Sequence, residues 1–196
     1  MRSDRLVLAS GSPRRRELLA RLGLDFEVVA PDVDETVLAG EDPVHYVVRL
    51  AEAKARAASV PDAVVVAADT AVVVDGEILG KPVDVEDGRR MLAMLSGRTH
   101  EVLTGVAVRD GSGHLASATE STSVHVAGVD DARSEWYVRT GEGADKAGGY
   151  ALQGAAALFA DRVDGSVSNV IGLPLPLVDR LCAKLGTDLM AFRRNP

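Results

Sequence analysis

The sequence predicts an α/β fold with a mixed β-sheet. Predicted strands alternate with predicted helices from one end of the chain to the other, and no repeat or low-complexity linker interrupts them. Ala63 to Ala68 is a continuous apolar run with the length of a strand covered on both faces. A chain of 196 residues with 46% hydrophobic content is long enough to bury one core. We therefore expect a single domain over residues 1–196.

The start of the chain predicts a strand, a turn and a helix. Arg5 to Ala9 is an apolar run of strand length, and small residues form a turn at Ser10 to Ser12. Ser12 is a good N-cap, a proline follows it at the first helical position, and Gly23 can end the helix. The first helix is therefore expected over Pro13 to Leu22.

The later elements follow from apolar periodicity and turn residues. In the first half of the chain we expect a strand at Phe26 to Ala30, an acidic loop at Pro31 to Gly40, a helix opened by Asp42-Pro43 and ending near Ser59, a strand at Ala63 to Ala68, and a hairpin of Ala71 to Asp75 with Glu77 to Leu79. In the second half we expect a helix at Val85 to Leu95, strands at Glu101 to Arg109 and Leu115 to Val126, a helix at Asp130 to Thr140, a glycine-rich segment at Gly141 to Gly154, a strand at Leu158 to Val163, and a helix at Pro174 to Leu185.

Composition excludes several classes of protein. The formal net charge of −7 leaves no large basic field for DNA, RNA or an anionic membrane, so we expect no nucleic-acid partner. Cys182 is the only cysteine, so no intramolecular disulfide is possible. The sequence has no signal-peptide pattern and no stretch close to the roughly 20 apolar residues of a membrane span. We expect a cytoplasmic protein with no membrane partner.

The strongest chemical signal is the run Ser10-Gly11-Ser12-Pro13-Arg14-Arg15-Arg16 between a strand and a helix N-terminus. Backbone N–H groups, hydroxyls and guanidinium groups together make an anion site. Three arginines are otherwise poorly placed there, because the helix dipole favours acids at that end. A phosphate-binding site explains the run better than the alternative, a solvated basic turn.

Carboxylates at two places predict general-base or metal chemistry. Asp69 follows the apolar run that ends at Ala68, and a carboxylate at the carboxyl end of a strand points to where ligands bind in open α/β sheets. We interpret Asp69 as a positioned general base or metal ligand, and the alternative is an aspartate that only forms a turn. Asp32, Asp34 and Glu35 offer Mg²⁺ hard oxygen ligands, although acidic loops are usually only solvated.

Three further residues are candidates for binding. Lys54 shares the apolar face of its predicted helix, so it needs a partner or a cleft, unless it reaches solvent at the edge of the stripe. Lys81 is a loop cation after the predicted hairpin. Gln153 lies in the glycine-rich segment, and its amide offers both a donor and an acceptor that can read the edge of a base. A flexible surface loop is the alternative there.

Other standard chemistries are not supported. The chain has no P-loop motif, and Gly141-Glu142-Gly143 fails as a dinucleotide fingerprint because Lys146 occupies the third glycine position. His45, His100, His114 and His125 have no metal-ligand spacing and are read as surface or core residues. Covalent nucleophilic catalysis is not expected, because neither serine lies in a nucleophile elbow and Cys182 lies in an ordinary helix.

Taken together, these segments resemble the Maf family of nucleotide pyrophosphatases. The resemblance runs nearly end to end and is carried, in family order, by LASGSPRRRELLARLG, DVDET, YVVRLAEAKA, AADT, LGKP, MLAMLSGRTHEVLTGVAV, DKAGGYALQG and IGLPLPLV. It implies a three-layer α/β/α fold with a curved mixed sheet, a deep cleft between two lobes, and a homodimer.

The resemblance also implies a role for each candidate residue. Asp69 would accept the proton of a water that attacks the α-phosphorus. Arg15, Lys54 and Lys81 would bind the triphosphate, with Ser10 and Ser12 in the same site. Glu35 and Asp69 would hold Mg²⁺ or another divalent cation such as Mn²⁺. This agrees with the residue types, because phosphoryl chemistry depends on positioning and on charge stabilisation by metal and cations.

Three positions imply a substrate class within the family. Arg14, Thr70 and Gln153 match the branch that resembles dTTP/UTP pyrophosphatases, whereas the branch acting on 7-methyl-GTP tends to have Trp, Gln and Glu at these places. Pyrimidine triphosphates are therefore the expected substrates. Two alternatives stay open at this point: a regulator of cell division that binds nucleotide without turning it over, and a scavenger of purine triphosphates such as that of inosine.

Overall fold

A computed structural model describes residues 5–58 and 60–194. Its strands are β1 (Arg5–Ala9), β2 (Glu27–Val29), β3 (Ala63–Val74), β4 (Glu77–Leu79), β5 (Thr99–Arg109), β6 (Leu115–Val126) and β7 (Ala160–Asp164). Its α-helices are α1 (Pro13–Arg21), α2 (Pro43–Ala57), α3 (Val85–Leu95), α4 (Asp131–Arg139), α5 (Val167–Ile171) and α6 (Leu175–Lys184). No helix in this described part of the chain is long and apolar enough to cross a membrane.

The strands form one seven-stranded mixed sheet. Its order is β2-β1-β3-β5-β6-β7, with β4 paired to β3 outside that path. β1 pairs in parallel with β2 and β3, whereas the β3–β4 and β6–β7 pairs are antiparallel. The predicted mixed α/β fold is confirmed. The layering and the cleft implied by the family resemblance stay predictions.

The chain divides into two compact units. The first contains the residues up to Asp69, Thr104–Glu120 and the residues from Gly172 onward, and the second contains Thr70–Leu103 and Ser121–Ile171. One buried cluster in the first unit consists of alanine and valine side chains, most of them from β1, α2 and β3. A buried cluster in the second unit includes Met91, Tyr137 and Phe159 together with aliphatic residues. The expectation of one domain over residues 1–196 stays a prediction.

Close packing of α2 depends on a glycine. A Cβ added at Gly105 would lie 2.3 Å from the carbonyl oxygen of Val47 and 2.7 Å from the backbone nitrogen of Val48. The backbone of α2 therefore approaches β5 more closely than any side chain at position 105 would allow. At its other end α2 is capped by Arg109, which donates to the carbonyl oxygens of Ala55 and Ala58.

Most predicted element bounds agree with the structure to within two residues, and three differences are informative. The strand expected to end at Ala68 continues to Val74, so that Asp69 lies within β3. Residues Ala155–Leu158 form a 3₁₀ turn, and the strand predicted from Leu158 begins at Ala160. Helix α5 was not predicted, because its five residues are too few to show a helical period. Ser59, the predicted end of α2, lies outside the described residues.

Candidate active site

The turn between β1 and α1 gathers hydroxyl and guanidinium groups. The Oγ of Ser10 accepts hydrogen bonds from the backbone N–H of Ser12 at 3.2 Å and from Nη1 of Arg15 at 3.1 Å. Ser12 caps α1 by accepting from the backbone N–H of Arg15. The Nε of Arg15 donates to the carbonyl oxygen of Gly172 at 2.7 Å. The predicted anion site thus contains a positioned guanidinium beside a helix N-terminus.

Arg15 is the arginine of this run that the fold buries. Arg14 is half-buried and Arg16 is exposed, since successive helical residues point in different directions. Burial lowers the pKa of Arg15, and the negative charges of Asp69 and Glu35 oppose that shift. The guanidinium is therefore a partly desolvated cation within electrostatic range of two carboxylates.

Lys54 joins those two carboxylates. Its ammonium nitrogen lies 2.6 Å from a carboxylate oxygen of Asp69 and 2.6 Å from one of Glu35. Lys54 and Asp69 are each only 8% exposed, whereas the Glu35 side chain is 49% exposed. Lys54 lies on the buried face of α2 with Val47 and Leu50, which confirms its predicted inward position.

The register of the sheet explains how Asp69 reaches this place. The parallel pairing of β1 with β3 ends at the pair Ala9 and Ala67, and Ser10 leaves the sheet immediately afterwards. Asp69 lies two residues beyond Ala67, so it stands at the carboxyl end of the parallel pairing although its own strand continues. The prediction that Asp69 ends its strand is wrong, but the edge of the sheet that it was expected to occupy is the one observed.

Cations and carboxylates alternate around Lys54. Two cations, Arg15 and Lys54, face two carboxylates, Asp69 and Glu35. Buried charges are costly unless they are paired, and removing one member of a buried pair is much more costly than removing both. The four side chains therefore form one electrostatic unit in the first compact unit of the chain.

The loop that carries Glu35 is held by α2. The hydroxyl of Tyr46 donates to the carbonyl oxygen of Glu35 at 3.1 Å, and Arg49 donates to the carbonyl oxygen of Thr36 at 3.0 Å. Arg49 also forms two hydrogen bonds with the carboxylate of Glu41, which lower the pKa of Glu41 to about 2. The sequence analysis did not single out Tyr46 or Arg49. Their spacing of three residues on one helical face was the available signal.

The acidic loop contributes one carboxylate to the site. Asp34 accepts a hydrogen bond from the backbone N–H of Thr36 at 2.9 Å and thereby shapes the loop, and Asp32 is exposed. In residues 5–58 and 60–194, no group of three or more His, Cys, Asp or Glu side chains converges as a metal cage. The site does supply two carboxylates, Asp69 and Glu35, and Mg²⁺ commonly binds through one or two carboxylates and takes its other ligands from water and substrate phosphates.

Three predicted site residues belong to the second unit. Thr70 follows Asp69 in β3 and is half-buried, and adjacent strand residues point to opposite faces of the sheet. Lys81 is exposed in the loop between β4 and α3. Gln153 is exposed in a turn before the 3₁₀ segment Ala155–Leu158.

Three of the four histidines have their contacts elsewhere. His100 is 2% exposed, its Nε2 lies 2.8 Å from the hydroxyl of Tyr150, and burial lowers the pKa of His100 to about 4. It is therefore a neutral core residue at pH 7. His114 and His125 lie beside Asp110 and Asp161 at exposed positions.

Comparison with known proteins gives consistent matches. A family model described as "Maf-like protein" matches residues 5–185. A "dTTP/UTP pyrophosphatase" of Anaeromyxobacter dehalogenans (strain 2CP-C) is 56% identical over 190 residues, covering 95% of this chain and 97% of that protein. A protein of the same name from Chromobacterium violaceum is 47% identical over 192 residues, covering 94% and 96%. The Ham1 protein of Staphylococcus aureus, a solved structure, is 17% identical with a TM-score of 0.44 over 63% of this chain and 72% of that chain, a likeness too distant to support an argument.

Proposed function

The chain belongs to the Maf family, and we propose that it is a nucleoside triphosphate pyrophosphatase that hydrolyses dTTP and UTP to the monophosphate and pyrophosphate. The observation that carries the proposal is the buried ammonium of Lys54 bound to Asp69 and Glu35, in range of the guanidinium of Arg15. Relatives that match 94% or more of this chain at 47% to 56% identity carry the name dTTP/UTP pyrophosphatase.

In the proposed reaction, a water oxygen attacks the α-phosphorus. The new P–O bond forms as the bond from the α-phosphorus to the bridging oxygen breaks, and pyrophosphate leaves. The carboxylate of Asp69 accepts the proton of the attacking water. Lys54 holds that carboxylate in position by its 2.6 Å contact. No covalent intermediate is required, which agrees with the absence of a nucleophile elbow in the sequence.

The cations and hydroxyls of the site bind the phosphates. Arg15 presents a guanidinium that is already fixed by Ser10 and by the carbonyl oxygen of Gly172, so little side-chain entropy is lost on binding. Ser12 and the N-terminus of α1 add a hydroxyl and backbone donors. Lys81 is proposed as a further phosphate-binding cation.

Glu35 and Asp69 are the proposed ligands of Mg²⁺ or Mn²⁺. A divalent cation at these oxygens would neutralise phosphate charge in the transition state. Asp69 is buried while Glu35 is half-exposed, so the pair presents one fixed and one more accessible carboxylate. Arg14, Thr70 and Gln153 are proposed to select the pyrimidine base. We further propose that the protein acts in the cytoplasm as a homodimer.

A substrate panel tests the proposal. We expect pyrophosphate release with Mg²⁺ to be fastest for dTTP and UTP among dTTP, UTP, CTP, dATP, GTP, ITP and 7-methyl-GTP. Asp69→Asn should lower kcat by at least about 100-fold, as expected for a lost general base, while circular dichroism stays unchanged. Asp75→Asn is the matched control, because Asp75 lies in the turn after β3 at a positive φ that asparagine tolerates.

Three outcomes would contradict parts of the proposal. Near-normal turnover by Asp69→Asn would remove Asp69 from the mechanism. Binding of dTTP and UTP without hydrolysis by the parent protein would instead favour the nucleotide-binding regulator of cell division. A preference for ITP or GTP would overturn the assignment of a pyrimidine substrate.

A further inference from the structure

The turn that presents Gln153 is tethered on both sides by one pair of side chains. The hydroxyl of Tyr137 accepts a hydrogen bond from the backbone N–H of Ala151 at 3.0 Å. The same hydroxyl donates to Oε1 of Glu142 at 3.2 Å, and Oε2 of Glu142 accepts from the backbone N–H of Ala155 at 2.9 Å. The backbone is thus held two residues before and two residues after Gln153.

The pair itself has little freedom to move. Tyr137 is fully buried, and its ring packs edge to face on Phe159 with centroids 5.8 Å apart. Burial raises the pKa of Tyr137, so the phenol keeps the proton that it donates to Glu142. A hydroxyl that accepts one hydrogen bond and donates another has a fixed orientation.

Two glycines make the tether tight. A Cβ at Gly154 would lie 2.3 Å from Oε1 of Glu142, so the carboxylate packs directly against the backbone next to Gln153. A Cβ at Gly143 would lie 1.9 Å from the carbonyl oxygen of Gly149, which leaves no room for a side chain where the segment closes on itself. Just before the turn, the chain is also held by His100, whose Nε2 lies 2.8 Å from the hydroxyl of Tyr150.

We propose that Tyr137 and Glu142 are positioning residues that fix the backbone on both sides of Gln153 and thereby set the base selectivity of the enzyme. This inference rests on the proposed function, in which the Gln153 amide reads the base. An amide can discriminate between bases only when its donor and acceptor are held in place, because a mobile turn lets it adapt to either edge. Uracil and cytosine differ in the donors and acceptors of the edge that such an amide would meet.

A double-mutant cycle tests the proposal. Selectivity is measured as the ratio of kcat/KM for UTP to kcat/KM for CTP, in the parent protein, Tyr137→Phe, Gln153→Ala and the double variant. Tyr137→Phe removes only the hydroxyl, and we expect it to lower selectivity by about 5-fold or more, through a higher KM for UTP with kcat within about 2-fold. In the Gln153→Ala background the same change should alter selectivity by less than about 2-fold, because Tyr137 acts through Gln153.

A matched control separates positioning from general loosening. Trp136→Phe changes the neighbouring aromatic of α4, which is 48% exposed, and removes none of the hydrogen bonds of Tyr137 and Glu142. It should keep the parent selectivity. If Tyr137→Phe does not fold, Glu142→Gln tests the same proposal. The amide of glutamine can accept through only one atom where the carboxylate accepts through two, so we expect an intermediate loss of selectivity. That loss should again disappear in the Gln153→Ala background.

The results distinguish this inference from the proposed function. If the parent protein and Gln153→Ala behave as proposed but the tether variants keep full selectivity, only the positioning role is overturned. Equal loss of selectivity in the presence and absence of Gln153 would also overturn it, since Tyr137 would then act by another route. If the parent protein does not hydrolyse UTP, the proposed function fails and the positioning role fails with it.

Discussion

Lys54 is the single residue on which the site most depends. It is 8% exposed and contacts both Asp69 and Glu35, so its charge compensates two carboxylates. Arg15 is the other cation that acts on this pair. Removal of Lys54 would leave the buried carboxylate of Asp69 without its ion-pair partner, and removing one member of a buried ion pair is strongly destabilising.

We therefore expect Lys54→Met to lower the free energy of unfolding by roughly 3 kcal/mol and to abolish turnover. Urea denaturation followed by circular dichroism measures the first effect, and pyrophosphate release measures the second. Lys184→Met, at an exposed position in the last turn of α6, is the matched control and should change neither. A stability loss in Lys54→Met no larger than in the control would show that the ion pairs contribute little to the fold.

Sequence reasoning found most of these residues by their chemistry, and the structure supplies their arrangement. The inward position of Lys54 followed from its spacing with Val47 and Leu50, because helical periodicity is a local property. The choice of Arg15 among three arginines came only from the family resemblance, since which helical direction is buried depends on tertiary packing. The bond from Arg15 to the carbonyl oxygen of Gly172 joins residues 157 positions apart, and no local pattern encodes it.

Among the elements, β3 shows where local signals fail. Asp69 and Thr70 follow a run of alanines and valines, and aspartate has a low strand propensity, so the sequence predicts that the strand ends there. In the structure β3 continues and pairs with β4 from Val72 to Val74. That hairpin was predicted from the sequence, and what the sequence did not show is that β3 runs without a break through Asp69 and Thr70 to reach it. The pairing of β3 with its neighbours on both sides of these two residues outweighs the low strand propensity of Asp69.

The contact of α2 with Gly105 positions the helix that carries Lys54, and it gives a prediction at the level of the element. Gly105→Ala would place a Cβ 2.3 Å from a backbone oxygen, so α2 must shift. We expect a loss of at least about 2 kcal/mol in the free energy of unfolding, together with lower activity, because backbone atoms cannot yield as a flexible side chain can.

Gly128→Ala is the control for this change. A Cβ at Gly128 would meet no atom within 4 Å, and its φ is not in the left-handed region. It should alter stability by no more than about 0.5 kcal/mol, as is usual for an uncrowded position. Parent-like stability of Gly105→Ala in the same urea titration would mean that α2 tolerates displacement from β5.

For the molecule as a whole, the sequence predicted the class of fold and the family, because alternating elements and many separate motifs are spread along the chain. The family model covers residues 5–185, and the matched relatives are covered nearly in full. The tether of Gln153 by Tyr137 and Glu142 was not predicted, because it depends on side chains meeting backbone N–H groups 13 and 14 positions away. The sequence thus predicts which residues carry the chemistry, but it does not predict the long-range contacts that hold those residues in position.

The most direct test of the proposed reaction is to follow the oxygen of the attacking water. UTP is hydrolysed by the parent protein with Mg²⁺ in water enriched in ¹⁸O, and the products are analysed by mass spectrometry, with Asp69→Asn as the inactive comparison. Attack on the α-phosphorus predicts one ¹⁸O atom in UMP and none in pyrophosphate. Label in pyrophosphate, or release of orthophosphate in place of pyrophosphate, would contradict the proposed reaction.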